Sequence, residues 1–174
     1  MKLSYLLRGL PGHPLHPPLT DATIGIYTFA TIAGLADVLG ISETSASQGW
    51  WLALFAGLIV TGATALTGLV DWLDITRGSE LWKTATMHMA AMLTATVFFL
   101  IALLTGRDDF HAGNLTASAL ILTLVGFGLL TLGGWLGGTI VYVHGMRVLN
   151  LVEEPADRAV SPTPKPEKEA AEES

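Results

Sequence analysis

The chain has 174 residues, of which 51% are hydrophobic and only 14% charged, with a mean hydropathy of +0.52. That balance excludes a soluble domain that covers itself in charge, and the absence of cysteine excludes disulfides, thiolate zinc sites, iron–sulfur ligation and catalytic thiols within this chain. The formal charge of −6 lies mostly in the last residues, where seven acids face three bases from Glu153 onward, and no basic stripe or arm suits nucleic acid.

Residues 1–18 read as an N-terminal interfacial arm, too short in apolar core for a secretory signal and lacking a small-residue cleavage site. Within it, HPLHPP places proline after both His13 and His16, a stiff lead into the first span that predicts the two histidines as a rigid polar cap. A four-helix transmembrane domain is expected over 19–150, because four apolar runs approach the roughly 20 residues that cross a core of about 30 Å. They are Leu19–Leu39, Trp51–Trp72, Thr84–Leu104 and Ala117–His144.

On the first span, Thr20, Tyr27, Thr31 and Gly34 share one helix face, which predicts packing against other helices. After the polar loop ISETSASQG, the Trp50–Trp51 pair is expected to anchor the second span at the interface. Asp71 shares a face with Gly68, Thr67, Thr64, Gly57 and Ala53, so it should point into the bundle. The loop DITRGSELWK offers Asp74 and Arg77 for a salt bridge. His88 opens the third span with Met92, Ala95 and Phe99 on its face, and the loop GRDDFHAGN carries an exposed His111.

The fourth run, GFGLLTLGGWLGGTIVYVHGMR, puts Gly126, Gly133, Gly137 and His144 on one stripe of an ideal helix. Gly133-x3-Gly137 and Gly134-x3-Gly138 are interleaved small-residue motifs that by themselves predict close helix packing. From residue 151 to 174, proline, glutamate, alanine and lysine prevail without an apolar period, which predicts a disordered acidic tail. Arg8, Arg77, Lys83 and Arg147 fall on one side and only Arg107 on the other, so both termini are expected in the cytoplasm.

That topology gathers His13, His16, Asp21, Asp71, Asp74, Arg77, His88 and His144 at one membrane depth. Ionisable groups in a span usually face a partner or a cavity. Three chemistries suit the set. His88 and His144 could clamp the iron of haem b, with the glycine stripe and Met92 making room for the macrocycle. The same histidines could hold a transition metal with Asp21, Asp71 or His16. Asp71, His88 and His144 could also relay protons. Each histidine equally has a plain reading as an interfacial hydrogen-bonding group, and Met87, Met89 and Met92 as packing.

GHPLHPPLTDATIG, TGLVDW, TATMH and GWLGGTIVYVHG, in that order over residues 12–148, resemble the bacterial membrane-protein family known as domain of unknown function 2231. The resemblance implies a multi-pass four-span bundle in the bacterial cell (inner) membrane. Some relatives carry a Rieske-type iron–sulfur domain on the same chain, which implies electron transfer. His16, Asp71, His88, Gly137, Gly138, Tyr142 and His144 agree with the family pattern. Asp21 stands where many members have histidine and Thr139 where glutamate or histidine is common, which turns the ligand expectation from the first span toward His88 and His144. Lacking Rieske-type cysteines, this chain would need another redox protein as partner. The leading expectation is therefore a haem-binding or redox-linked membrane subunit, an electron carrier or accessory protein rather than an independent enzyme. The alternatives are a membrane scaffold whose glycine face docks a partner, and metal-ion or proton transport through a homo-oligomer.

Overall fold

In the computed structural model, which describes residues 4–10, 12–149 and 152–160, the chain is helical throughout its core. A short α1 (Ser4–Arg8) leads to α2 (His16–Val38), α3 (Glu43–Leu73), α4 (Glu80–Thr105), the short α5 (Arg107–Ala112) and α6 (Ala117–Gly138). A π-helical turn, Thr139–Val143, continues α6, and α7 is a single turn at Ala156–Ala159. Of the expected acidic tail, residues 161–174 lie outside the described residues.

Four of these helices are long and apolar enough to cross a membrane. Their ends follow local chemistry. Pro17 and Pro18 sit in the first turn of α2, where a missing N–H costs nothing, and Gly40 with φ 71° ends it. Ser79 caps α4 by accepting from Trp82 N at 3.1 Å, and Thr116 caps α6 by accepting from Ala119 N at 3.4 Å. Two stretches differ from the sequence expectation. ISETSASQG is largely the start of α3, and GRDDFHAGN contains α5, whose Asp109 accepts from Thr116 N and Oγ1. Both segments lack proline, so polarity alone did not stop the helix.

The helices form two close pairs, α2 with α3 and α4 with α6, which meet through α3–α4 and α2–α6 contacts. At the centre, Tyr27 of α2 stacks on Phe99 of α4, with ring centroids 3.9 Å apart and planes within 9°. Glycines from the other two helices allow this stack. A Cβ on Gly57 would lie 2.6 Å from Tyr27 Cε1, and one on Gly126 would lie 2.9 Å from Phe99 Cε1. Trp50, expected as an interfacial anchor, is instead fully buried and donates its indole N–H to Thr123 Oγ1 at 3.0 Å. The outer faces carry exposed Phe29, Ile32, Ile59, Leu66 and Ile121, the surface a lipid environment accepts.

Candidate functional site

Proline-driven entry into α2 turns His16 inward, whereas His13, held by paired main-chain bonds to Leu10, stays exposed. His16 Nδ1 lies 3.1 Å from Thr64 O and 3.3 Å from Thr67 Oγ1 on α3. A carbonyl can only accept, so Nδ1 carries the proton and donates. The imidazole rests against Gly68, where a Cβ would come within 2.6 Å of its Cε1. Below it the polar seam continues, with Thr23 and Thr64 hydroxyls 3.0 Å apart and Tyr27 Oη 2.9 Å from Thr61 Oγ1.

His88 repeats the arrangement on the other helix pair. Its Nδ1 donates to Gly133 O at 2.7 Å, and a Cβ on Gly137 would stand 3.3 Å from its Cε1. The two rings meet edge to face across the bundle, centroids 6.4 Å apart and planes at 87°. In each, the main chain fixes the tautomer and leaves the Nε2 lone pair without a hydrogen bond among the described residues. Orientation of a ligating histidine by its other nitrogen takes this form.

His144 does not join them. Thr84 Oγ1 gives its proton to Glu80 O, so His144 Nε2 must be the donor in its 3.2 Å contact with that hydroxyl. The π turn is the reason: His144 N bonds Thr139 O, five residues back, and the extra residue in that turn rotates everything after it off the ideal glycine stripe. The glycines themselves are spent inside the bundle. Gly133 backs onto Met92 and Gly137 onto His88, while Gly134 faces Ile24 more loosely and Gly138 meets only Tyr142. The Gly133–Gly137 face is therefore covered by α4 and is not a free docking surface.

Asp71 is buried, as its face predicts, and Arg147 is its cation. Arg147 also stands 3.8 Å from Asp74, which pairs with Arg8 at 2.8 Å. The expected loop salt bridge to Arg77 is not made; Arg77 is exposed and has no ion pair among the described residues. Arg147 reaches Asp71 from a left-handed backbone, φ 63°, a conformation rare outside glycine. Asp71 lies three residues after Gly68, the residue the His16 ring rests against, on the same face of α3. Asp21, by contrast, is exposed on the outer face of α2. Sequence reasoning missed Arg147 as the counter-ion, although a buried carboxylate at that end needed one and Arg147 ends the fourth run.

Among the described residues, no three His, Cys, Asp or Glu side chains converge as a metal site. Residues 12–150 match the family described as predicted membrane protein, DUF2231. The chain belongs to that family. No curated protein and no solved structure matches it. As a DUF2231 protein it is an integral membrane protein with four candidate spans, and its Arg8 and Arg147 meet at the same end of the bundle.

Proposed function

We propose that this protein is a haem-binding, redox-linked membrane subunit in which His16 and His88 would hold the haem iron. The observation that carries the reading is the pair of neighbouring imidazoles on two helix pairs, each anchored at Nδ1 by a main-chain carbonyl and each with Nε2 free of hydrogen bonds among the described residues. Imidazole nitrogen ligates metals at about 2.0–2.1 Å, so adding a ring radius on each side separates two opposed ligands by roughly 6–7 Å between centroids. The 6.4 Å found here suits that span. Zinc takes three or four protein ligands, and no such set converges among the described residues. A porphyrin supplies four nitrogens of its own, so two imidazoles complete the iron. When bound, the haem would supply one-electron chemistry; His16 and His88 would hold it, and the Thr64 and Gly133 carbonyls would fix their tautomers.

Arg77, exposed and without an ion pair among the described residues, is a candidate partner for the haem carboxylates. The excess of arginine and lysine at this end favours a cytoplasmic location for it, in a bacterial inner membrane. Electrons would pass to or from a separate redox protein. The full-length protein, purified from haem-replete cells, is expected to show a Soret band that disappears in His16→Ala and in His88→Ala and persists in His144→Ala. A colourless protein, or a band that survives both of the first two substitutions, overturns the reading.

A further inference from the structure

We propose that the end of the bundle opposite the histidines carries a site for a primary ammonium group, and that its occupant is an aminophospholipid of phosphatidylethanolamine type. Asp37, in the last turn of α2, is 6% exposed. Its Oδ2 accepts from Leu115 N at 2.7 Å, while Oδ1 is buried without a hydrogen-bond partner among the described residues. The same residue forms part of the wall of a cavity of about 450 Å³ between the end of α2 and the start of α6, which Val38, Asn114, Leu115 and Ile121 also line. No basic side chain lines it, and the carbonyl end of α2 adds to the negative potential.

A buried carboxylate oxygen without a donor calls for a cation that brings its own N–H groups. A hard metal ion asks for six or more oxygens, which mostly apolar walls do not provide. An ammonium has three donors and needs few acceptors, and the cavity lining includes two residues that carry acceptor oxygens, Asp37 and Asn114. Val38 and Ile121 in the lining are 55% and 59% exposed, apolar surface of the kind acyl chains cover. A head group with N–H donors joined to acyl chains satisfies both parts of the site. A choline head group, which has no N–H, does not.

The test uses full-length protein extracted from vesicles of equal parts phosphatidylethanolamine and phosphatidylcholine, with retained lipid counted by native mass spectrometry. Wild type should retain the ethanolamine lipid about tenfold over the choline lipid, the factor one charge-assisted hydrogen bond supplies. Asp37→Asn, which keeps an oxygen to accept from Leu115 N, should abolish the preference. Val38→Trp should do the same by filling the cavity, and it decides the question if Asp37→Asn does not fold. Equal retention of the two lipids by wild type, or a preference that survives either substitution, overturns the proposal. Displacement of the lipid by free ethanolamine at millimolar concentration overturns the lipid assignment and gives the site to free amines.

Discussion

Asp71 and Asp37 are both buried carboxylates of this bundle, and they are satisfied in opposite ways: Asp71 by a cation, Asp37, among the described residues, by a main-chain amide on one oxygen. Removing the partner of a buried ion costs about 3–5 kcal/mol where both are fully desolvated, and less here because the Arg147 side chain is 35% exposed. Arg147→Ala is expected to destabilise the protein by about 2 kcal/mol in thermal unfolding followed in detergent. Arg8→Ala removes a pair whose two side chains are each 41% exposed, so it should cost about 1 kcal/mol or less. Equal effects of the two substitutions would show that Asp71 is not desolvated in solution. Asp71→Asn combined with Arg147→Met should recover part of the loss, since neither half is then left charged.

Helix faces were legible from spacing within each segment, and contacts between segments were not. The faces bearing Tyr27, Thr31 and Gly34 on α2, and Thr64, Thr67 and Asp71 on α3, are buried as the helical period requires. The partners of His88 were not legible, because they depend on the axial register of α2 and α6, and the departure of His144 was not, because it follows a π turn that an ideal 3.6-residue period does not contain. Trp50 was misplaced for a related reason: a tryptophan at the end of an apolar run reads as an interface marker, but α3 starts two turns earlier and carries it into the core. Two glycines of α3 test the role of close approach. Gly68→Ala drives a methyl group into the His16 ring and should cost about 1–3 kcal/mol of stability, as overpacking does. Nothing lies within 4 Å of a Cβ on Gly62, so Gly62→Ala should be neutral or stabilising by about 0.5–1 kcal/mol. Matching unfolding temperatures for the two variants would refute the seat assigned to His16.

At the scale of the molecule, four spans and a common end for Arg8 and Arg147 follow from the fold, and the side of the membrane is a matter of charge. The natural sequence has no cysteine, so single cysteines report without background. In intact cells, a membrane-impermeant maleimide is expected to label Asp108→Cys and to spare Arg77→Cys until the cells are opened. The reverse pattern would put the histidine end outside. The family was legible because its motifs sit at the ends of the spans, and the identity of the histidine pair was not, because His16 and His88 lie in separate motifs 72 positions apart that only the bundle brings together.

The Asp71–Arg147 contact joins positions 76 residues apart, and the anion is made long before its cation. As the chain is synthesised and inserted from its N-terminus, Asp71 enters with the second span and waits through the third and the fourth for Arg147. Arg8 comes before both, and in the folded bundle it pairs with Asp74, one turn from Asp71. The first half of the protein therefore holds a provisional charge balance at its rim, and the buried acid acquires its own counter-charge only when synthesis has passed the π turn. A bundle that stalls before that point is marked by an unpaired carboxylate at the membrane edge.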